Sequence, residues 1–293
     1  MCLTIKTLMI LIHYKMKKTL ITLVFCALIF SLAQAQNPDK IKGNRLVSII
    51  NTEISSFHTI ALDEDFEIDL IYNKVPSVEI ETDENLHEFI QFIVKDSILH
   101  FNKTKKITSK KKLYIKVIYD DFLRHFQTTD KAELNGLTPI SITNGTLKTS
   151  GTSKVALTIK TNSFNFEGTD RSKVKLNLTA DTCAVNMNGN SKIEALINAP
   201  KITSVLKDKS QAIIEGNSDI AHLDLSDYSQ FNGKNFTLTS CRIISNLSTD
   251  AYLEVIKEIT IDASGSSAIY LYQNPKISIN TMTGTSKIEK KVK

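Results

Sequence analysis

Between Ser153 and Ser286 the chain alternates apolar and polar residues in short runs that return every nineteen residues. A serine marks each return, and the residue two positions before it is Gly, Asp or Asn. The eight serines are Ser153, Ser172, Ser191, Ser210, Ser229, Ser248, Ser267 and Ser286. A turn-forming residue followed by period-two alternation is typical of a corner that leads into a β-strand. Repetition at this fixed spacing predicts a solenoid of stacked coils.

The alternation also assigns each position in a coil to one side of its strand. We expect the serines, and the residues two and four positions after them, to face inward, because strand side chains alternate between faces. On this count Tyr252 faces inward, and the positions one, three and five after each serine face solvent. A buried hydroxyl needs a partner, so each serine is expected to bond to a neighbouring coil's backbone or to the next serine.

The predicted fold class is all-β, a right-handed single-stranded parallel β-helix with 19-residue coils, that is, a β-solenoid. The left-handed hexapeptide helices are built from six-residue units, and nineteen is not a multiple of six. The doubled Gly-Gly-x-Gly-x-Asp repeat of calcium-binding rolls does not occur in the chain. The usual hand of parallel crossovers then favours the right-handed form.

Three segments differ in their patterns. Residues 1–35 read as a leader with a signal peptide whose natural start is Met16, because Lys17 and Lys18 precede an apolar run that ends in Ala33-Gln34-Ala35. Residues 36–130 show irregular alternation and read as a strand-rich N-terminal part of the β-helix, and residues 131–293 read as its regular coils. The stretch from Asp130 to Leu134 resembles a degenerate corner, which indicates that the solenoid begins before the strict repeat. No later segment is apolar enough to span a membrane.

Charge and cysteine content exclude some functions. Without the four lysines of the leader, 32 basic residues face 31 acidic ones, so the global charge gives no reason to expect a nucleic-acid partner. The six lysines between Lys103 and Lys112 read as a solvated loop. Cys183 and Cys241 lie 58 residues apart, three coils plus one residue. That spacing places them about 14 Å apart on opposite strand parities, too far for a disulfide.

Two outward-facing sets are candidate binding residues. Lys154, Lys173 and Lys192 follow three successive serines, so they are expected to stack about 4.8 Å apart and to need solvent, acidic neighbours or an anionic ligand. Tyr270 and Tyr272 belong to one coil and should both point outward, where aromatic rings can stack on sugars or anchor a partner surface. Capping or dimer contacts are the alternative for the tyrosines, and plain solvation is the alternative for the lysines.

No catalytic, metal or cofactor site is expected. The densest acidic set, Asp250, Glu254, Glu258 and Asp262, has a four-residue spacing that a coil scatters over different faces. A calcium column at Asp208, Asp227 and Asn246 is an alternative, although turn chemistry already accounts for these residues.

Several stretches resemble a known family. Ser264-Gly265-Ser266-Ser267-Ala268-Ile269-Tyr270-Leu271-Tyr272 and Thr283-Gly284-Thr285-Ser286-Lys287-Ile288 look like the coils of the putative auto-transporter adhesin, head GIN domain family of Bacteroidetes. The resemblance covers about residues 44–290 and implies a pectin-lyase-like β-helix proposed for adhesion, without recognised catalytic residues. We therefore expect an exported, non-catalytic interaction and adhesion module in the periplasm, at the outer-membrane surface or outside the cell. Its partner would be a protein or a glycan at the cell surface, and self-association is left open. The alternative is a polysaccharide-binding or polysaccharide-cleaving protein.

Overall fold

The structure, a computed structural model, describes residues 39–292. The predicted signal peptide therefore lies outside the described residues. In chain order the strands are β1 (Lys40–Lys42), β2 (Val47–Glu53), β3 (Thr59–Leu62), β4 (Glu67–Tyr72), β5 (Ser77–Asp83), β6 (Ile90–Lys95), β7 (Ile98–Lys103), β8 (Lys106–Ser109), β9 (Leu113–Tyr119), β10 (His125–Thr128), β11 (Glu133–Gly136), β12 (Ile140–Ser141), β13 (Asn144–Thr149), β14 (Lys154–Lys160), β15 (Ser163–Gly168), β16 (Lys173–Thr179), β17 (Thr182–Met187), β18 (Lys192–Asn198), β19 (Lys201–Leu206), β20 (Gln211–Leu225), β21 (Gln230–Ser245), β22 (Asp250–Ala263), β23 (Ala268–Leu271), β24 (Lys276–Met282) and β25 (Lys287–Lys290). A short 3-10 helix spans Glu84–Phe89.

Each regular coil contributes one strand to each of two parallel sheets. Sheet 1 stacks β4, β11, β14, β16, β18, the first parts of β20, β21 and β22, and then β23 and β25. Sheet 2 stacks β3, β10, β13, β15, β17, β19, the later parts of β20, β21 and β22, and β24. The result is a β-solenoid of about nine turns with roughly 19-residue spacing, which confirms the predicted fold class.

The core lies between the two sheets and follows from the alternation in the sequence. In β14, Val155, Leu157 and Ile159 are buried, whereas the lysines at both ends of the strand are exposed. Because partners pair in register, each inward position becomes a column of apolar side chains along the axis, with Val155 stacked on Val174 and then on Ile193. A single coil could not bury its own inward face, so neighbouring coils stabilise one another.

The corners before sheet 1 require a left-handed backbone. Gly151, Gly189, Asp170 and Asp208 all have φ between 57° and 66°, a region that Gly and Asp tolerate better than other residues. The aspartates also link the coils: the carboxylate of Asp170 accepts the N–H of Gly151, and that of Asp208 accepts the N–H of Gly189, both at 2.9 Å. These carboxylates are therefore used as turn acceptors. Within residues 39–292 no cluster of three or more side chains could hold a metal ion.

Most of the corner serine hydroxyls bond within their own coil. Ser172 Oγ donates to the carbonyl of Thr169, three residues earlier, at 2.9 Å, and Ser191 and Ser210 make the equivalent bond. The bonds to a neighbouring coil that the sequence predicted are also present, because Ser191 Oγ donates to the carbonyl of Gly168 at 3.2 Å and Ser229 Oγ to that of Leu206 at 3.1 Å. Ser172 Oγ also accepts from Thr149 Oγ1 at 2.9 Å. Each corner is thus closed locally and linked to the strand before it.

Replacing two of these serines should separate a bonded hydroxyl from an unbonded one. Ser172→Ala deprives the buried Thr149 hydroxyl of its acceptor and is expected to cost about 1–2 kcal/mol of unfolding free energy. Ser267 is equally buried but its hydroxyl has no protein partner, so Ser267→Ala should change stability by less than about 0.5 kcal/mol. Urea denaturation of both variants measures the difference. Equal losses would show that the serines act by shape alone.

One coil carries an extra residue, and the following coil lacks one. Gln230 pairs with Asp250, twenty residues on, and Asp250 pairs with Ala268, eighteen residues on. The shift begins after Ile213, which pairs with Asn232, because Glu215 already pairs with Asn235. We call this pair of compensating shifts the register slip. Because the two deviations cancel, the nineteen-residue count is back in register at Ser267, and the spacing of the serines alone does not reveal the slip.

The slip corrects three placements. Ser248 is exposed, and Thr249 occupies the buried serine column in its place. Leu247, not Asn246, takes the left-handed corner with φ 66°, although leucine pays a steric cost there. Cys241 falls in the same inward column as Cys183, three coils away, so the predicted opposite parity was wrong. Both cysteines are buried and free, as expected from their separation.

The irregular N-terminal part extends both sheets with antiparallel strands. β9 pairs in parallel with β4, β5 pairs antiparallel with β9, and β2 pairs antiparallel with β5, so sheet 1 ends in antiparallel pairings. β7 pairs with β3, and β6 adds antiparallel to β7 at the end of sheet 2. The corner predicted at Asp130 is present, with φ 51° and Ala132 fully buried. An earlier corner at Glu64, with φ 52°, shows that the coils begin already at β3 and β4.

Candidate functional site

The outward face of sheet 1 carries a column of residues that runs from the regular coils to the last described coil. Its members stand in register: Ala156, Lys175, Glu194, Ile213, Asn232, Tyr252, Tyr270 and Glu289. We call this set the tyrosine column. The column arises because the third residue after each corner serine, or after Thr249 where it replaces the serine, points to solvent from its strand.

The first half of the tyrosine column lies in a shallow groove of about 560 Å³. Lys175, Glu194 and Ile213 line it together with Leu196 and Glu215 from the next outward column. Leu196 keeps 43% of its surface exposed, so the groove offers apolar contact between charged side chains. Its volume is in the range that holds small ligands, and its length along four coils suits an extended one.

The second half of the column is a stack of aromatic rings. The rings of Tyr252 and Tyr270 lie with centroids 4.6 Å apart and planes 20° from parallel. Tyr272 follows in the same coil as Tyr270, and its backbone N–H donates to the carbonyl of Leu253 at 3.0 Å. All three tyrosines are half-buried, so their ring edges and hydroxyls reach the surface. Burial, with the nearby Asp250 carboxylate, raises the pKa of the Tyr252 phenol. The stack is therefore a fixed, partly apolar platform.

Lysines cover part of this platform. Lys291 Nζ lies 4.8 Å from the Tyr270 ring centroid, and Lys287 Nζ lies 5.7 Å from it. Both ammonium groups bond to Glu289 and hold the pKa of its carboxyl at about 2. One face of the Tyr270 ring is thus shared with Tyr252 and the other with cations. A ligand would meet the edges and hydroxyls of the stack, and the face of Tyr252 that points towards Asn232.

Lys154, Lys173 and Lys192 stand in register on successive coils, as the sequence predicted. They form the outward column beside the groove. Lys154 pairs with Glu133 at 2.6 Å, which raises the pKa of the lysine, and Lys192 pairs with Glu194 at 2.8 Å. Acidic neighbours therefore relieve the repulsion that stacking creates, and Lys173, which makes no ion pair within the described residues, faces solvent between them.

The acidic residues of β22 do not converge. Asp250 points outward from sheet 1, whereas Glu258 and Asp262 lie on sheet 2. Glu254 is buried at the bend between the sheets, where it accepts bonds from Gln273 Nε2 at 2.9 Å and Thr237 Oγ1 at 3.3 Å. The scatter agrees with the expectation from the coil geometry.

Sequence reasoning placed Tyr270 on the correct face and Tyr252 on the wrong one. The one-residue slip after Asn232 moves every following side chain of that coil to the other face of its strand. A signal was present: Asp250 is the only acidic residue among the positions expected to be apolar, and an aspartate in a core column indicates a shifted register.

Within residues 39–292, no helix has the length and apolar character needed to cross a membrane.

The solenoid is similar to several solved structures. A crystal structure described as a putative adhesin from Parabacteroides distasonis superposes with a TM-score of 0.63 at 17% identity, covering 86% of this chain and 100% of that one. A putative adhesin from Parabacteroides merdae gives a TM-score of 0.62 at 17% identity, covering 86% and 99%. A putative lipid binding protein from Parabacteroides distasonis gives 0.61 at 16% identity, covering 86% and 100%. At these identities the likeness supports the fold alone.

Sequence comparison adds the family. No curated protein is significantly similar to this chain. The family described as putative auto-transporter adhesin, head GIN domain, matches residues 56–275, from just before β3 to just before β24. Because that match covers about three quarters of the sequence, the chain belongs to the putative auto-transporter adhesin, head GIN domain family.

Proposed function

We propose that the chain is an exported, non-catalytic interaction and adhesion module of the cell envelope, and that it binds a surface glycan along the outward face of sheet 1. The observation that carries the proposal is the tyrosine column, in which residues lining a groove of about 560 Å³ stand in register with the stacked rings of Tyr252 and Tyr270. Family membership and the adhesin descriptions of the structural relatives favour a binding role. The leader at residues 1–35 favours export.

A glycan suits this face for three physical reasons. Sugar rings present apolar C–H surfaces to aromatic rings and hydroxyls to polar groups, and the platform offers both. A linear polymer can follow a straight column of in-register residues over several coils, each about 4.8 Å from the next. The flanking Lys154, Lys173 and Lys192 supply donors for hydroxyls or carboxylates along the same path.

The test is a glycan-array screen of the protein without its leader, beside a Tyr252→Ala/Tyr270→Ala/Tyr272→Ala variant. The wild type is expected to bind a glycan that the triple variant loses by at least about tenfold in affinity, since each lost aromatic contact is worth about 1 kcal/mol. Tyr228→Ala is the matched control, because Tyr228 is 67% exposed and lies at a corner away from the column.

Two outcomes of the screen would contradict parts of this proposal. Retained binding by the triple variant, with an unchanged melting temperature, would remove the tyrosine column from the site. Absence of glycan binding by the wild type would contradict a glycan ligand and leave a protein partner for the same face.

A further inference from the structure

The lysine-rich segment between β7 and β9 lines a cleft against the corners of the first coils. Five lysines, Lys103, Lys105, Lys106, Lys110 and Lys131, surround about 670 Å³ together with Glu64, Asp65 and Asp130. The corner residues Gly151 and Thr152 close one side, and Ile107 and Leu113 form an apolar floor that packs against the core. The sequence alone suggested only a solvated loop for this segment. The structure instead folds it over three successive corners.

The segment is held in place by buried contacts. β8 pairs in parallel with β1, so the segment belongs to a small two-stranded sheet that is separate from sheets 1 and 2. The fully buried Asp83 carboxylate accepts the N–H of Lys111 at 3.0 Å and the N–H of Arg45 at 2.9 Å. A backbone anchored at both ends keeps the cleft open and its lysines directed at the corners.

The acids of the cleft are already engaged. Lys103 pairs with Asp65 and lies 3.8 Å from Glu64, and its ammonium group sits 4.0 Å above the Phe66 ring. Its side chain is only 9% exposed, so this group balances charge inside the wall. The Lys103 hydrogen bond lowers the pKa of Asp65. Asp130 accepts the backbone N–H of Glu64 at 3.3 Å, as the other corner aspartates do for their preceding coils.

Among the cleft lysines, only Lys103 forms an ion pair within the described residues. Lys106, Lys110 and Lys131 form no ion pair within the described part of the chain, and all three are exposed at the cleft. Lys105 is directed to the Phe89 ring, 4.7 Å away. On sheet 1, by contrast, Lys154 and Lys192 both have acidic partners. Like charges that converge on a concave surface raise the local potential for an anion.

We propose that this cleft binds a multivalent anion, a phosphate, sulfate or carboxylate group with at least two negative charges, through Lys106, Lys110 and Lys131. The anionic group lies between the three ammonium groups, and the non-ionic part of the ligand rests on Ile107 and Leu113. The cleft is formed by the coils of β4, β11 and β14, whereas the stacked tyrosines belong to β22 and β23. The anion site is therefore separate from the proposed glycan face.

The probe is inorganic tripolyphosphate, titrated into the protein by calorimetry at low salt. Parallel titrations with citrate, a carboxylate, and sucrose octasulfate, a sulfate, show which type of anion the cleft prefers. Wild-type protein is expected to bind tripolyphosphate, and Lys106→Gln/Lys110→Gln/Lys131→Gln to weaken it by at least about tenfold, three partly exposed ion pairs being worth about 0.5 kcal/mol each. The corresponding triple arginine variant keeps the charge and should keep binding. Added salt should weaken the wild type more than the glutamine variant.

The matched control removes the same charge elsewhere. Lys201→Gln/Lys207→Gln/Lys257→Gln replaces three exposed lysines that do not line the cleft, and it should bind tripolyphosphate like the wild type. Equal weakening in the two glutamine variants would indicate general charge attraction and overturn the site. Failure of the wild type to bind any of the three anions would overturn it as well. The tyrosine variant should leave this binding unchanged, so the two proposals can fail independently.

Discussion

Native protein at pH 8 is expected to react with a thiol-directed reagent about a thousand times more slowly than the unfolded chain. Burial raises the pKa of Cys183 and of Cys241 to about 12. At pH 8 a thiol with an ordinary pKa near 9 is about one-tenth ionised, whereas a thiol of pKa 12 is ionised at about one part in ten thousand. Both side chains are also at most 5% exposed, so the folded coils restrict access of the reagent to either sulfur.

The control uses the same chemistry at two corner positions. Ser248→Cys places a thiol at an exposed site and should react at nearly the unfolded rate, whereas Ser229→Cys places one in the buried column and should be slow. The pair also checks the register slip, because uninterrupted nineteen-residue counting makes the two positions equivalent. Fast labelling of the native wild type would contradict the described burial of the two cysteines. Labelling of fewer than two thiols in the unfolded chain without its leader would contradict their being free.

Gly216→Ala is expected to lower the free energy of unfolding by about 3 kcal/mol. Gly216 has φ +108°, which is open to glycine and strained for any other residue, at a cost of about 1–3 kcal/mol. An added Cβ would also lie 2.2 Å from the carbonyl oxygen of Ile197 in the preceding coil, a backbone atom that cannot move away alone. Overpacking of this kind adds about 1–3 kcal/mol.

Gly136→Ala is the matched control for that substitution. Its new Cβ would meet the end of the Leu157 side chain at 3.1 Å, with no positive φ, so a loss below about 1 kcal/mol is expected. Thermal and urea unfolding of both variants measure the difference. A Gly216→Ala protein as stable as Gly136→Ala would show that the coils can separate locally at little cost.

Much of this fold is readable from the sequence because the repeat has a simple physical cause. A parallel stack forces equivalent residues into columns, so turn residues at Gly151 and Asp170 and apolar residues at Val155 and Val174 recur at one spacing. That recurrence predicted the solenoid, its nineteen-residue coils and the in-register lysines. The corner at Glu64 was not located from the sequence because residues 73–124, which form β5 to β9, separate Phe66 from Ala132, the residue stacked on it.

The candidate site was harder to predict from the sequence, because a shift of one residue moves a side chain to the other face of its strand. One extra residue after Asn232 turns Tyr252 outward and brings it onto Tyr270, yet the compensating loss before Ala268 hides the event from a count of serines. The lysine cleft could not be predicted at all. It depends on how an irregular segment folds back over Glu64 and Asp130, and no period governs that path.

The most direct test of the account is hydroxyl-radical footprinting of the protein with and without the glycan that binds best on the array. If the outward face of sheet 1 is the binding surface, Tyr252 and Tyr272 should lose reactivity on binding, while the exposed corner residue Tyr228 keeps its own. Protection of Tyr228 or of the outward side of sheet 2, with Tyr252 and Tyr272 unchanged, would contradict the central claim.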